Sequence, residues 1–131
     1  MAKTEIRTAD APNPVAAFAQ GVRKGNVVQV AGQVGIDPAT GQVAGPTVAE
    51  QARRTLTNVA AVLAAGGATF DDVVMMRVYL TDTAHFAQLN EVYGEFMVEH
   101  VTAPFPARTT VYVGLPAGLL VEIDALAVIE Q

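Results

Sequence analysis

Residues Thr47 to Gly67 read TVAEQARRTLTNVAAVLAAGG, and this stretch decides the helical half of the fold. Thr47-Val48-Ala49-Glu50 is a capping box, in which the Thr hydroxyl and the Glu side chain each satisfy an orphan amide of the first turn. Val48, Ala52, Leu56, Val59 and Leu63 then recur on one helical face. Glu50 is placed to pair with Arg53 and Arg54 one turn on. Gly66-Gly67 ends the helix. A helix with one apolar face needs a second layer to bury it.

The flanking segments supply that layer. Downstream, Val73 to Leu80 is rich in β-branched and apolar residues and predicts a strand. Thr81-Asp82-Thr83 offers N-caps for a second helix whose apolar face is Phe86, Leu89, Tyr93 and Phe96. Pro104 and Pro106 bound an extended approach to a strand from Arg108 to Val113. Gly114-Leu115-Pro116-Ala117-Gly118 turns the chain, and Leu119 to Ile129 is the last strand. Upstream, Ala9 to Pro14 is a loop, because its two prolines remove backbone donors. Val15 to Gln20 reads as a short strand and Gly21 to Asn26 as a turn. Val27 to Ala31 is a buried strand ending at Gly32, and Asp37 to Gly41 is a turn. The order is β-β-α-β-α-β-β, with room for another strand at the start. Two amphipathic helices on one face of a mixed sheet make an α+β two-layer domain. The other sheet face needs its own cover.

Composition narrows the function classes. The chain has 131 residues, which fits one domain over 1–131. Apolar residues make up 51% and charged residues 16%, against about 25% charged in a typical soluble domain. Such a balance excludes disorder. The longest uncharged apolar stretch, Val59 to Ala68, is about half of the roughly 20 residues a membrane helix needs. The net charge is −5 and the eight basic residues are scattered, so neither nucleic acid nor an anionic membrane is an expected partner. No cysteine is present, which removes disulfides, thiolate metal sites and Cys nucleophiles. Met1 to Arg7 lacks a secretory apolar segment, and the expected location is cytoplasmic. The surplus apolar surface points to self-association.

Residues i and i+2 of a strand share a face. Arg108, Thr110 and Tyr112 therefore share one, and so do Leu120, Glu122 and Asp124. A tight hairpin pairing Tyr112 with Gly118 would set Arg108 beside Glu122, with the charges on one side and an apolar surface on the other. Two readings stay open. One is a surface salt bridge worth ~0–1 kcal/mol. The other is an anion site, where a fixed guanidinium binds a substrate carboxylate and the nearby carboxylate handles a proton. Pro104-Phe105-Pro106-Ala107 would stiffen the approach to Arg108 and give it an apolar wall. His85 and His100 lack a ligand-like cluster and read as cap or surface residues, so no metal is expected. Met75 and Met76 read as core. Gly32-Gln33-Val34-Gly35 has the wrong spacing for a dinucleotide fingerprint. Gly32 suits backbone geometry or the close approach of a ligand. Asn90 reads as solvated, or as an amide that positions a ligand.

With those residues in place, the chain resembles the RidA/YjgF/translation-inhibitor-L-PSP family over nearly its whole length. The matching stretches include Phe18-Ala19-Gln20-Gly21, Val30-Ala31-Gly32-Gln33-Val34-Gly35, Leu89-Asn90-Glu91-Val92-Tyr93, Phe105-Pro106-Ala107-Arg108-Thr109-Thr110 and Val121-Glu122-Ile123-Asp124-Ala125. The resemblance implies a chorismate-mutase-like fold and a homotrimer with ligand sites between subunits. It also implies hydrolysis of reactive 2-enamines and 2-imines to 2-oxo acids and ammonia, with no cofactor. In that picture Arg108 clamps the carboxylate and Glu122 activates water. Phe18, Gly32, Asn90 and Thr110 line the substrate. The chain departs from the family pattern at Phe18, where tyrosine is usual, at Thr110, where cysteine is common, and at Ala31, where a hydroxyl residue often stands. Those departures motivate an alternative, a non-catalytic trimer that binds a small carboxylate or a protein. An RNA-cleaving role, also attached to the family, conflicts with the acidic charge and the lack of an aromatic-basic stripe.

Overall fold

The computed structural model describes residues 2–130. Six strands and two helices follow in the order β1 (Thr4–Ile6), β2 (Gly21–Lys24), β3 (Val27–Val34), α1 (Val48–Ala65), β4 (Val73–Leu80), α2 (Phe86–His100), β5 (Ala107–Tyr112) and β6 (Val121–Val128). The strands form one sheet in the order β1-β2-β3-β6-β4-β5. Every pairing is antiparallel except β4 with β5, so the sheet is mixed.

The last strand lies at the centre. β3 and β4 both run antiparallel to β6 and hence parallel to each other, with α1 joining them. β4 and β5 are parallel neighbours joined by α2. Both crossovers step the same way along the sheet, and their common right hand puts both helices on one face. Val78 and Leu80 of β4 and Val121, Ile123 and Ala125 of β6 are fully buried beneath them. Among the described residues no helix covers the other face. No helix among the described residues is long and apolar enough to cross a membrane.

The capping box of α1 forms: Thr47 Oγ1 accepts from the Glu50 amide at 3.2 Å, and the Thr47 amide donates to Glu50 Oε1 at 3.4 Å. That commits the Glu50 carboxylate, and the pairing expected with Arg53 and Arg54 does not occur. Arg53 instead reaches Glu95 on α2, and Arg54 donates to Asn58 Oδ1. Asp82 caps a single 3-10 turn that leads into α2. The buried face of α2 is Leu89, Val92, Tyr93, Phe96 and Met97, while Phe86, its first residue, stays exposed.

Two local expectations are corrected. The strand expected at Val15–Gln20 is absent, and Gly21–Lys24 is strand rather than turn. The β2–β3 hairpin uses only Gly25-Asn26 as its loop, because Gly25 takes φ 61 at the first turn position. The segment before it is held by a side chain instead of a ladder. The buried Gln20 amide accepts from Thr8 N and donates to the carbonyls of Thr8, Ala11 and Pro12. The terminal strand for which the sequence left room is β1.

The second correction concerns the end of the chain. β5 and β6 do not form a hairpin, because β4 lies between them. The connection from Val113 to Leu120 rounds the end of β4. Val113 N donates to Leu80 O at 2.8 Å, and Thr81 N donates to Leu120 O at 3.2 Å. A Gly/Pro-rich connection of that length can turn in place or span the ~10 Å between strands two apart, and it does the second. Buried amides on α1 hold this end of the sheet. Gln51 bonds the carbonyls of Gly45 and Gly118 and the amide of Leu120, and Asn58 bonds the carbonyls of Val34 and Ile36.

Candidate active site

The strand register decides where the candidate residues stand. Arg108 on β5 opposes Met76 on β4, which opposes Ala125 on β6. Met76 and Ala125 are buried under the helices, so Arg108 lies on the helix side of the edge strand. Glu122 opposes Tyr79, on the open side. Arg108 and Glu122 are two strands and three residues apart, roughly 14 Å between Cα atoms. The expectation that they share a face is overturned. Alternation within each strand is as the sequence implied, but the hairpin that would have joined the two strands does not exist. Arg108 is thus not part of the open face, whereas Met75, expected in the core beside Met76, is.

Around Arg108 the geometry is tight. Its Nη2 donates to Asn90 Oδ1 at 2.6 Å and its Nε to Thr110 Oγ1 at 3.0 Å. The guanidinium carbon lies 4.6 Å from the Tyr93 ring centroid and 5.8 Å from that of Phe86. Asn90 and Tyr93 lie three apart on α2, so one helix face supplies both the acceptor and the ring. Asn90 is half-buried, and its Oδ1 fixes the guanidinium. Two of the five N–H groups of the fork are taken, leaving the rest for an anion. Burial pushes the Tyr93 phenol up, and the Arg108 charge partly offsets that.

Glu122 occupies a second locus. β3 carries a bulge between Val30 and Gln33, where Ala31 and Gly32 stand against the single residue Asp124 of β6. The Glu122 carboxylate fills the space a side chain at Gly32 would take, with Oε2 2.5 Å from the position of a Cβ there. Gly32 is therefore the residue that gives Glu122 room. Ala31 N donates to Gln20 O, which brings the chain from Phe18 past this bulge. Phe18 is 55% exposed. Burial, and then the charge of Asp124, push the Glu122 carboxyl up.

Sequence reasoning missed the neighbours of both loci. The 3/4 spacing places Tyr93 on the apolar face of α2, and its ring also floors Arg108. Arg77, Tyr79 and Asp124 join on the open face: Arg77 Nε and the Tyr79 hydroxyl donate to the two oxygens of Asp124, each at 2.8 Å. The alternation of Arg77 and Tyr79 within an apolar strand was the available signal. Its partner depended on the β4–β6 register. Among the described residues no group of three or more His, Asp or Glu could hold a metal ion. His100 bonds the Phe96 carbonyl and stacks on the Phe96 ring.

Gly32→Ala separates fit from fold. The atom in the way is the end of a flexible side chain, so the backbone keeps its place and stability changes by about 1 kcal/mol or less. The carboxylate must move by about an ångström. A displacement of that size can cost up to about 100-fold in rate. The expected result is a melting temperature within a few degrees of the parent and at least a tenfold loss of the activity proposed below.

The fold and site define a small two-layer α+β domain with a fixed arginine at one locus and a half-buried glutamate at another. A family model described as Endoribonuclease L-PSP matches residues 8–129. The chain is 42% identical over 129 residues to the 2-iminobutanoate/2-iminopropanoate deaminase of Escherichia coli, covering 98% of each chain. It is 42% identical to a RutC family protein of Pyrococcus abyssi, covering 97% of this chain and 98% of that one. The crystal structure of E. coli TdcF with bound serine superposes with a TM-score of 0.92 at 39% identity, covering 97% of this chain and 99% of that one. The chain belongs to the RidA/YjgF/translation-inhibitor-L-PSP family.

Proposed function

We propose that the protein hydrolyses 2-enamines and 2-imines, such as 2-aminoacrylate and 2-iminobutanoate, to 2-oxo acids and ammonia. The observation that carries this reading is the guanidinium of Arg108, held by Asn90 and Thr110 with N–H groups left for a carboxylate. Two parallel charge-assisted bonds suit a carboxylate better than a point charge does. The deaminase name of the E. coli relative and the amino acid bound to TdcF support a small substrate of this kind.

An enamine first tautomerises to the imine, whose carbon is already electrophilic. Glu122 takes a proton from water as the water oxygen bonds to that carbon, and the C=N electron pair moves to nitrogen. Glu122 returns its proton to the nitrogen, giving a carbinolamine; the hydroxyl proton of that adduct then passes by way of the same carboxylate to the nitrogen as the C–N bond breaks, so ammonia leaves and the 2-oxo acid remains. Positioning and proton transfer suffice, so no covalent nucleophile is required. The raised proton affinity of Glu122 suits a group that must both accept and return a proton near neutral pH.

One chain cannot bring Arg108 and Glu122 onto one substrate, since they lie on opposite faces. The reading therefore includes a homotrimer in which Arg108, Asn90 and Thr110 of one subunit meet Glu122, Gly32 and Phe18 of the next. The uncovered sheet face, with Met75 and Leu126 beside the Asp124 cluster, supplies surface for that contact. A second reading, carboxylate binding without turnover, is favoured by Phe18, which offers no hydroxyl to the reacting atoms.

The test is to generate 2-aminoacrylate or 2-iminobutanoate with a dehydratase acting on serine or threonine and to follow oxo-acid release. Release accelerated above background is expected. No acceleration, together with Arg108-dependent carboxylate binding in calorimetry, would establish the second reading instead.

A further inference from the structure

The reaction just described leaves Arg77, Tyr79 and Asp124 without a part. Asp124 is 8% exposed, and both of its oxygens are engaged, Oδ1 by Arg77 and Oδ2 by the Tyr79 hydroxyl. In the β4–β6 register Arg77 faces Asp124 and Tyr79 faces Glu122. Asp124 and Glu122 are two apart on one strand, so their side chains share the open face about 7 Å from each other. Tyr79 stands opposite Glu122, yet gives its hydroxyl to Asp124. Among the described residues no side chain donates to Glu122. The arrangement places a like charge beside Glu122 and fixes that charge from two sides.

We propose that Arg77 and Tyr79 are positioning residues for Glu122. By pinning and partly neutralising Asp124, they set the field in which Glu122 takes up and releases its proton. The proposal rests on the reading of Glu122 as the water-activating base. Among the described residues, every titratable or charged neighbour of Glu122 can be named. Its own strand gives Asp124, and β4 gives Arg77 and Tyr79. β3 gives none, since Gly32 and Val34 lie beside it. In the proposed trimer the Arg108 of the adjoining subunit also faces it, equally in every variant below. Burial and the bond to Asp124 push the Tyr79 phenol up, so Tyr79 stays a donor across neutral pH.

Asp124 acts on Glu122 as a like charge, and Arg77 acts in the opposite sense by offsetting Asp124. Asp124→Asn removes a like charge, so Glu122 loses its proton at lower pH. Arg77→Met removes the guanidinium that offsets the Asp124 carboxylate, while Tyr79 still holds it. Glu122 then keeps its proton to higher pH. The experiment is the pH profile of kcat/KM for the parent and both variants. It is paired with NMR titration of protein carrying 13C-labelled Glu carboxyls, with Glu122→Gln identifying the resonance. The expected result is an acid limb displaced by about half to one pH unit, downward in Asp124→Asn and upward in Arg77→Met, with the Glu122 resonance following. A purely structural role would lower activity in both variants without moving the limb in opposite directions. Limbs and resonance that stay put, or move the same way, would overturn the proposal. Full activity in Glu122→Gln would overturn the assignment of Glu122 as the base, which the NMR titration reads separately.

Discussion

Arg108→Ala is expected to lower kcat/KM for 2-imino acids by about 100- to 10,000-fold while leaving the fold intact. Hydrogen bonds to charged groups contribute about 1.5–3 kcal/mol each, and a carboxylate held by two of them loses both. Little of the loss comes from destabilisation. Arg108 is half-buried on the edge strand, and its partners Asn90 and Thr110 are only part-buried, so water can replace the guanidinium. Arg108→Lys keeps the charge but not the fork, and its three donors cannot hold Asn90 and Thr110 while giving a carboxylate two parallel bonds. It is expected to recover about tenfold at most over the alanine variant. Steady-state oxo-acid release, with melting temperatures measured alongside, checks both. Unchanged turnover in Arg108→Ala would remove the carboxylate clamp from the mechanism.

Mixing two inactive variants is expected to restore activity. Arg108→Ala retains Glu122, and Glu122→Gln retains Arg108. If each site takes its arginine from one subunit and its glutamate from the next, a hybrid assembly contains intact sites although neither parent does. Random assembly of equal amounts gives about a quarter of the wild-type sites, because each interface needs the right chain on both sides. The measurement is oxo-acid release after co-expression or joint refolding, against each variant alone. A site built within one chain would show no recovery. The opposite-face positions of Arg108 and Glu122 demand this outcome for any mechanism that uses both groups. The same experiment therefore separates a shared site from a reaction that needs only one of them.

Much of the architecture was legible in the residues. The capping box at Thr47, the Gly66-Gly67 stop, the apolar face of α1 and the alternation of β6 are local features. Each depends on neighbours within a few positions, and each forms as read. The candidate site was legible as a set of residues but not as a place. Arg108, Glu122, Gly32 and Asn90 were picked out by type and motif. The Arg77–Asp124–Tyr79 cluster was not, because its members lie on different strands. Asn90 was read as solvated or ligand-facing, yet its Oδ1 accepts from Arg108. That contact needs β5 to dock under α2.

The sequence alone determined the two-layer class, the helices and the alternation that gives each strand residue its side. These follow from short-range sterics and from the period of apolar residues, which any window of the chain contains. Only the tertiary structure decided strand neighbours. A connection from Val113 to Leu120 is compatible with a hairpin or with a step across a strand. The choice depends on whether β4 finds better partners at the edge or between β5 and β6. With β4 between them, it buries Met76, Val78 and Leu80 completely. That gain is spread over the whole core and written in no single stretch. It is also what sends Arg108 and Glu122 to opposite faces, and so turns an apparent ion pair into two loci that a single chain keeps apart.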